Sequence, residues 1–397
     1  MNTEEYMKQA DQYIVHTYNR FPIVFERGEG VRLYDTDGKE YLDFAAGIAV
    51  QALGYSCTEL KDALKDQIDK INHTSNLFYH VPLADAAKKI VESCGLSKVF
   101  FTNSGTEAIE GALKAARKYA WLKDGRTDHE IIAMKNSFHG RSMGALSVTG
   151  NAGYQDPFRP LISGIRFADY NSLDSVKALV NDRTCAIIME TVQGEGGIYP
   201  AEKEFLQGVR KICDEHDILL ILDEIQCGMG RTGTLWAWQD YSVAPDIMTC
   251  AKAIGCGVPV GCFILNEKVA EHSLEPGDHG STYGGNPFAA RAVSTVFDIF
   301  EKKDIVGHVR EIAPYFEQKL DGLTEKYDCL AERRGKGLMQ GLVVQGRPAG
   351  EIVSAALEEG LVVITASGNV IRLVPPLVIE KSDIDEMAEK LGKAIEK

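Results

Sequence analysis

The feature that most constrains the fold is a series of short apolar runs between Lys98 and Leu265, separated by stretches with helical periodicity. Each run has the length of a strand and is largely free of internal polar residues. Such runs are typical of strands that are buried on both faces, so the sequence predicts an α/β lobe with a mainly parallel sheet and covering helices. The six runs are KVFFT, EIIAM, GIRFA, CAIIM, ILLIL and VGCFIL.

The segments on either side of this series have a different character. Residues 31–44 alternate around Asp37-Gly38, a pair suited to the tight turn of a hairpin. After Pro287 come amphipathic stretches near residues 288–302 and 305–326, then the strand candidates GLMQGLVV, GLVVIT and NVIRLV and a helix after Lys381. These patterns predict a second, α+β lobe, and the absence of a repeat or a Pro/Ser-rich linker predicts that the lobes pack closely.

Composition excludes several classes of function. The 57 acidic and 43 basic residues give a net charge of -14, which would repel a nucleic-acid backbone. The amino terminus is polar and no later run is long enough to span a bilayer, so we expect a cytoplasmic protein without membrane contact. The nine cysteines are scattered and form no CxxC pair, so they predict reduced, mostly buried thiols and no metal site.

The first candidate site is the turn NSGTEA, which joins an apolar run to a helical stretch. Ser104 and Glu107 have the spacing of a capping box, and Gly105 allows close approach of a ligand to the backbone. The free N–H groups of a helix start favour an anion, and Thr106 adds a hydroxyl donor, so a phosphate could bind here. An ordinary capped helix explains the same residues and is favoured when the segment is taken alone.

The second candidate site follows the run ILLIL, which places Asp223 and Glu224 at the carboxyl end of a strand. Open α/β sheets bind ligands at this edge. A carboxylate there could hold the protonated nitrogen of a pyridine ring and keep that nitrogen charged. A helix cap or an ion pair with Arg231 is about as probable from this segment alone.

The glycines at 228, 230 and 233 spell GxGxxG, the pattern of a dinucleotide-binding turn. That pattern requires a strand directly before it and a helix directly after it. Here DEIQ intervenes, and TGTLWAW has no helix start signal. The interpretation of the chain as a nicotinamide dehydrogenase is therefore supported only by this weak motif.

The third candidate site is Lys252, the only charged residue between Asp246 and Glu267. Apolar surroundings disfavour the charged form of an amine, so its pKa falls and it becomes a usable nucleophile toward an aldehyde. A lysine whose stem is buried and whose amine reaches water is the more common arrangement. Only the three candidate sites together, in this order along one lobe, point to the phosphate, the ring nitrogen and the aldehyde of pyridoxal 5′-phosphate.

This combination resembles the fold type I enzymes that bind pyridoxal phosphate, and its details are similar to the class III aminotransferases. The resemblance implies a large domain with a mainly parallel seven-stranded sheet at residues 56–285. It also implies a smaller α+β domain built from an N-terminal segment, 1–55, and a C-terminal segment, 286–397. The motifs that carry it are NSGTEA, FHGR, QGEGG, DEIQ, AKAIG, GSTYGGNP and RLVPPL.

The resemblance assigns roles around the cofactor. Lys252 would form the Schiff base and move the proton of the reaction, and Asp223 would pair with the pyridinium nitrogen. Residues 104–106, which are Ser104, Gly105 and Thr106, would bind the phosphate. Phe138 would stack on the ring, although it could equally be core, and Gln226 would lie near the ring hydroxyl.

The resemblance also assigns substrate contacts. Arg141 would hold the α-carboxylate of the amino donor and then the side-chain carboxylate of 2-oxoglutarate. Arg372 would hold the α-carboxylate of 2-oxoglutarate or glutamate, and Glu195 would mask it while the donor is bound. Ser281 would lie beside the substrate, and Thr282 would complete the site of a neighbouring subunit, which implies a homodimer. Surface ion pairing is the default interpretation of both arginines.

Within the family, the segments FPIVFERGEGVRLYDTDGKEYLDFAAGIAV and HTSNLFY are most similar to members that act on N-acetylornithine. We therefore expect ping-pong transfer of its ω-amino group to 2-oxoglutarate, a step of arginine biosynthesis. Ornithine, N-succinyl-diaminopimelate, N-succinylornithine and 4-aminobutyrate are alternative donors, and a cofactor-binding regulatory protein is a non-enzymatic alternative. The chain departs from the family pattern at Thr191, after Glu190, and at Cys57-Thr58, which puts local loop shape in doubt.

Overall fold

The structure is a computed structural model that describes residues 2–397. It begins with a helix, a small antiparallel sheet and two helices that lead to the large lobe. These elements are α1 (Thr3–Tyr13), β1 (Phe25–Glu29), β2 (Arg32–Asp35), β3 (Glu40–Asp43), the short segment α2 (Ala46–Ala49), α3 (Thr58–Lys70) and α4 (Val81–Cys94).

The hairpin predicted around Asp37-Gly38 is confirmed. β2 and β3 pair antiparallel, with Leu33 opposite Tyr41. Gly38 has φ 84°, a conformation that glycine adopts without a steric cost. The prediction missed β1, which pairs with β2 and extends the hairpin to a three-stranded meander.

The large lobe contains nine strands and six helices among the described residues. The strands are β4 (Lys98–Thr102), β5 (Glu130–Met134), β6 (Ile165–Ala168), β7 (Thr184–Glu190), β8 (Val192–Gln193), β9 (Tyr199–Pro200), β10 (Leu219–Asp223), β11 (Ile247–Ala251) and β12 (Gly261–Leu265). The helices are α5 (Gly105–Asp124), α6 (Met143–Ser147), α7 (Ala152–Gln155), α8 (Leu173–Leu179), α9 (Lys203–His216) and α10 (Glu267–Glu271). Short 3₁₀ turns cover Asp156–Phe158, Ala237–Tyr241 and Lys252–Ile254.

Seven of these strands form one sheet in the order β4-β12-β11-β10-β7-β5-β6. β12 is antiparallel to both of its neighbours, and the other neighbouring pairs are parallel. The predicted mainly parallel, seven-stranded sheet is therefore confirmed, and all six apolar runs contribute strands to it. The seventh strand, β11, was not among those runs because its sequence, IMTCA, carries a polar threonine in the middle.

Both faces of this sheet are covered, as the continuous apolar runs predict. In β5, Ile131 and Ala133 join one buried cluster together with Ile109 and Ala112 of α5. The alternate residues of β5 join the other cluster, which includes side chains of α9, α11 and α12. Side chains alternate along a strand, so a strand with helices on both faces must be apolar throughout.

The C-terminal lobe combines long helices with a four-stranded antiparallel sheet. Its elements are α11 (Pro287–Lys302), α12 (Ile305–Lys326), β13 (Leu330–Lys336), β14 (Met339–Val344), α13 (Ala349–Glu358), β15 (Leu361–Val362), β16 (Ile364–Ala366), β17 (Val370–Leu373) and α14 (Lys381–Glu396). The predicted helices and strands of this region are confirmed. The prediction missed β13, whose sequence LAERRGK is mostly charged because the strand lies at the edge of its sheet.

The two ends of the chain share a sheet. β15 pairs parallel with β3, with Leu361 opposite Leu42 and Val362 opposite Asp43. This pairing joins a strand of the N-terminal segment to a strand of the C-terminal segment. The assignment of residues 1–55 and 286–397 to one small domain, with boundaries at residues 55 and 285, stays a prediction.

The long helices are amphipathic rather than wholly apolar. α12 has 22 residues and buries one face, including Val309, Phe316 and Leu320, while its other face carries charged side chains. Across residues 2–397 we find no helix with the length and apolar character that crossing a membrane requires.

Candidate functional site

A cavity of about 420 Å³ opens at the carboxyl ends of the parallel strands. This is the edge at which open α/β sheets bind ligands. Eight of the twelve predicted site residues line the cavity, namely Ser104, Gly105, Thr106, Phe138, Arg141, Asp223, Gln226 and Lys252. The other four, Glu195, Ser281, Thr282 and Arg372, lie outside that lining.

One wall of the cavity is the N-terminus of α5. The hydroxyl of Ser104 accepts the N–H of Glu107 at 3.3 Å, as the sequence predicts. The second half of the predicted capping box is wrong, because the Glu107 carboxylate accepts the N–H of Asn103 instead of that of Ser104. The first-turn N–H groups of Gly105 and Thr106 have no carbonyl four residues earlier in the helix. They are left for an anion, which the positive end of this 20-residue helix also favours.

The hydroxyl of Thr106 is committed to the neighbouring loop. The Ser142 hydroxyl donates to Oε1 of Glu110 at 2.6 Å, which uses its single proton. Thr106 Oγ1 lies 2.8 Å from that hydroxyl and accepts the N–H of Ser142, so it must donate its own proton to Ser142 Oγ. Thr106 therefore offers its backbone N–H to an anion, and its hydroxyl connects α5 to the loop that carries Arg141.

Asp223 lies at the end of β10, also in the cavity lining, and is held by three donors. Its Oδ1 accepts the N–H of Ile225 at 2.9 Å and the hydroxyl of Thr249 at 3.3 Å, and its Oδ2 accepts a hydrogen bond from Nδ1 of His139 at 2.7 Å. Arg231, the alternative ion-pair partner, instead donates to the backbone carbonyls of Leu338 and Pro375. Asp223 is thus fixed without a permanent positive partner.

Lys252 follows β11 and begins a 3₁₀ turn with φ 52°. A positive φ is uncommon for a residue with a side chain and occurs often at functional sites. Burial and the nearby Arg372 lower the pKa of Lys252 to about 8, against the opposing effect of Asp223. The amine is therefore partly neutral near pH 8 and can act as a nucleophile.

Two further carboxyl groups lie at the cavity, Glu190 in its lining and Glu224 next to Asp223. Glu190 is paired with Asp223 across β7 and β10, and it accepts the N–H groups of Phe138 and Gly194. Burial and the Asp223 charge raise the pKa of Glu190 well above its ordinary value. Glu224 is also buried, and burial raises its pKa to about 8. These groups favour a cation in the cavity when they are ionised.

Arg372, on β17, forms an ion pair with Glu195. Its Nη1 lies 2.9 Å from Oε2 of Glu195 and donates to Oε1 of Gln226 at 3.3 Å. The guanidinium is 3% exposed, whereas the Glu195 side chain is 28% exposed. Because Gln226 lines the cavity, this pair lies directly beside it. The more exposed Glu195 is the partner that a competing carboxylate could displace.

The loop that contains Ser281 and Thr282 reaches the cavity indirectly. Ser281 Oγ accepts a hydrogen bond from Nδ2 of Asn103, which lines the cavity. Thr282 is exposed and is not itself part of this cavity lining. Asn76 fixes the loop by donating to the carbonyls of Ser281 and Gly284.

Three residues near the site have no role in the sequence-based prediction. His139 belongs to the quoted motif FHGR, and its position directly after Phe138 was the available signal. Glu190 ends an apolar run, as Asp223 does, and that shared position could have indicated a second carboxylate. Tyr154, which contacts Arg141, has no local signal because the contact depends on how the loop folds back.

The chain matches known proteins over nearly its whole length. Residues 13–395 match the family Aminotransferase class-III. The chain is 46% identical to the acetylornithine aminotransferase of Caldanaerobacter subterraneus subsp. tengcongensis, with 97% of each chain covered. It is 44% identical to that of Methanocaldococcus jannaschii, with 99% of this chain and 98% of the relative covered.

A solved structure has the same fold. The ornithine aminotransferase of Toxoplasma gondii, reported with partial occupancy of pyridoxal phosphate at its active site, superimposes with a TM-score of 0.95. It is 29% identical, and the alignment covers 99% of this chain and 94% of that protein. The likeness therefore extends to both lobes.

Proposed function

The chain belongs to the class III aminotransferase family, and from this membership we propose that it transfers the ω-amino group of N-acetylornithine to 2-oxoglutarate. It is a transaminase that depends on pyridoxal phosphate. The products are N-acetylglutamate semialdehyde and glutamate, in a step of arginine biosynthesis. The observation that carries the proposal is the convergence of the α5 N-terminus, Asp223 and Lys252 on one cavity.

The residues around the cavity fit the three functional groups of the cofactor. The unpaired first-turn N–H groups at Gly105 and Thr106 suit a phosphate. Asp223 suits a protonated ring nitrogen, since two of its donors bind Oδ1 and only one binds Oδ2, which leaves a lone pair on Oδ2. The amine of Lys252, with its lowered pKa, suits an aldehyde. We propose that Phe138 packs against the ring and that Gln226 lies near the ring hydroxyl, because both line the same cavity.

When bound, pyridoxal phosphate supplies an electron sink that stabilises negative charge on the substrate carbon that bears the amine. The Asp223 carboxylate would hold the protonated ring nitrogen, and the hydrogen bond from His139 fixes the orientation of that carboxylate. Nζ of Lys252 can take up and release the proton that leaves the substrate carbon, because its pKa of about 8 allows both protonation states near neutral pH.

Two arginines support the binding of both substrates at one site. Arg141 faces the cavity and can bind a carboxylate through paired hydrogen bonds. Arg372 is covered by Glu195, so a donor with one carboxylate binds Arg141 alone. A dicarboxylate such as 2-oxoglutarate can displace Glu195 and bind both guanidinium groups. We propose that Ser281 contacts the substrate through its position beside Asn103.

We propose further that the active unit is a homodimer in which Thr282 contributes to the neighbouring site. The side chains of Leu77, Phe78 and Tyr79 are 87%, 65% and 104% exposed. Contiguous exposed apolar side chains are typical of interaction surfaces. Asn76 joins this segment to the loop of Ser281 and Thr282, so a partner that covers the segment would also approach that loop. We expect the dimer to act in the cytoplasm, in line with nine free cysteines.

A panel of amino donors tests the proposed substrate. The purified protein is supplied with pyridoxal phosphate and 2-oxoglutarate, and glutamate formation is measured with N-acetylornithine, ornithine, N-succinylornithine, N-succinyl-diaminopimelate and 4-aminobutyrate. We expect the highest kcat/KM with N-acetylornithine and no turnover by Lys252→Ala. A higher kcat/KM with another donor would replace the proposed substrate, and no glutamate from any donor would refute transamination.

A further inference from the structure

The guanidinium of Arg141 is held by aromatic rings instead of by an acid. Its Cζ lies 3.8 Å from the ring centroid of Tyr154 and 5.4 Å from that of Phe138. Within residues 2–397 it has neither a carboxylate within 4.0 Å nor a hydrogen-bond acceptor. The shorter of the two distances is a van der Waals separation, so Tyr154 is the principal contact of this charge.

An aromatic ring face and a carboxylate differ in how many N–H donors of an arginine they occupy. The five N–H donors of a guanidinium lie in its plane, and a carboxylate partner occupies two of them. A ring face attracts the cation through its quadrupole and accepts none of those hydrogen bonds. Tyr154 therefore restricts the position of Arg141 and leaves its N–H donors for a ligand.

Tyr154 is itself fixed by a buried network. It precedes Gln155, whose Nε2 lies 2.9 to 3.2 Å from the carbonyl oxygens of Leu146, Ser147 and Thr149 and shares its two hydrogens among them. Asn151 caps the turn by accepting the N–H of Gly153. The ring of Tyr154 also packs edge-on against Phe138, with centroids 6.2 Å apart. The aromatic ring is thus held in a fixed position relative to the cavity wall.

The other side of the Arg141 loop is fixed as well. Gly140 has φ 142°, and a Cβ at this position would lie 2.3 Å from Oγ1 of Thr106. The loop can therefore approach α5 only with glycine there. Oε1 of Glu110 accepts the N–H groups of Gly144 and Ala145 and the Ser142 hydroxyl. With the loop fixed on both sides, the long side chain of Arg141 is the remaining source of freedom.

We propose that Tyr154 is the positioning residue for the substrate carboxylate, acting as an aromatic support that holds Arg141 ready to bind it. This inference rests on the proposed function in that Arg141 is taken as a carboxylate site. The ligands concerned carry a carboxylate that reaches the Arg141 side of the cavity. They include both the amino donor and the dicarboxylate acceptor. The positioning of Arg141 depends on the aromatic face of Tyr154 and not on its hydroxyl.

The experiment compares Tyr154→Leu, Tyr154→Met and Tyr154→Phe in the holoenzyme. The control is Tyr34→Leu, which removes an arginine–tyrosine contact of similar geometry, 3.6 Å from Arg27, on the N-terminal hairpin. We expect Tyr154→Leu and Tyr154→Met to raise KM for donor and acceptor roughly tenfold and to change kcat less than about twofold. Tyr154→Phe and the control should keep wild-type KM values.

A binding measurement separates this inference from the proposed function. Glutarate, a dicarboxylate without a keto group, is titrated calorimetrically into wild-type holoenzyme, Tyr154→Leu, Arg141→Met and the double variant. Tyr154→Leu should weaken glutarate binding roughly tenfold in the wild-type background and should have no further effect when Arg141 is absent.

Three outcomes would overturn the inference: an equal loss in both backgrounds, a loss in Tyr154→Phe as large as in Tyr154→Leu, or unchanged binding in Tyr154→Leu. If circular dichroism shows that a variant is less stable, the comparison of Tyr154→Phe with Tyr154→Met still tests the role of the aromatic ring. Failure of N-acetylornithine as a donor would refute the proposed substrate and would leave the glutarate result to decide the role of Tyr154.

Discussion

The Nδ1 of His139 lies 2.7 Å from Oδ2 of Asp223, and both side chains are almost inaccessible to solvent. The other ring nitrogen, Nε2, is buried and has no hydrogen-bond partner within residues 2–397. A single hydrogen bond therefore connects this histidine to the carboxylate at the end of β10. A hydrogen bond to a charged group contributes more than one between neutral groups.

His139→Leu should weaken cofactor binding and lower kcat. The variant removes one of three donors to Asp223, a loss of about 1.5–3 kcal/mol for a bond to a charged acceptor. We expect a decrease of roughly tenfold or more in pyridoxal phosphate affinity, measured by equilibrium dialysis. His308→Leu, which loses a hydrogen bond to the Ile379 carbonyl outside the cavity, is the control. Equal effects of the two changes would contradict a specific role for His139.

Lys252→Met should stabilise the apoprotein at pH 7. The folded pKa is about 8 and the ordinary value is 10.5, so below pH 8 the folded state bears the full cost of a buried charge. That cost is about 3 kcal/mol at 1.36 kcal/mol per pKa unit. The wild-type free energy of unfolding should rise between about pH 8 and 10.5, where the folded lysine is already neutral and the unfolded one is still charged.

Urea denaturation of both cofactor-free proteins at pH 7 and pH 10 measures this effect. The stability difference between Lys252→Met and the wild type should shrink as the pH rises. A constant difference across this range would mean that Lys252 has an ordinary pKa in the folded protein.

Arg372→Gln should damage the half-reaction with glutamate or 2-oxoglutarate more than the half-reaction with N-acetylornithine. The variant removes the proposed carboxylate site, whose guanidinium forms an ion pair with Glu195. We expect the KM for 2-oxoglutarate to rise roughly 30-fold or more, as the loss of a charge-assisted contact of about 2 kcal/mol predicts. Single-turnover absorbance measurements resolve the two half-reactions. The control is Arg333→Gln, which breaks the ion pair with Asp321. Equal losses in both half-reactions of Arg372→Gln would refute the masking by Glu195.

Thr191→Val should lower the stability of the protein. Thr191 is wholly buried, and its hydroxyl donates to Oε1 of Glu224 at 3.3 Å. The same oxygen also accepts the N–H of Trp238. Removing the hydroxyl donor from a buried carboxyl group costs about 1–3 kcal/mol. Calorimetric melting of the variant measures the loss. The control is Thr324→Val, at a half-buried helix position, which should leave the melting temperature nearly unchanged. An unchanged melting temperature in Thr191→Val would show that the Thr191 hydroxyl does not stabilise Glu224.

Tyr79→Asp should weaken self-association. The side chain is fully exposed in the single chain and lies in the apolar segment that also contains Leu77 and Phe78. A charge buried there without a partner would destabilise an interface by several kcal/mol. Light scattering coupled to gel filtration should give twice the chain mass for the wild type and a lower mass for the variant. The same substitution at the exposed Tyr13 is the control, and a monomeric wild type would refute the dimer.

The sequence by itself determined the fold class and the chemical groups of the site. The apolar runs predicted the sheet because strands covered on both faces cannot carry exposed polar residues. Asp223 was identifiable as a candidate because it ends an apolar run at the edge where open α/β sheets bind ligands, and Lys252 because it is the only charge between Asp246 and Glu267. Strands β11 and β13 were missed because a central threonine and a run of charges conceal a strand when its neighbours are unknown.

Only the tertiary structure decided which groups meet. The Thr106–Ser142–Glu110 chain, the His139–Asp223 hydrogen bond and the Arg141–Tyr154 contact join residues 13 to 84 positions apart. Local periodicity describes which face of an element is buried, but it carries no information about which side chain from a distant element lies opposite. The distances between such side chains are fixed by the packing of the whole sheet and its loops.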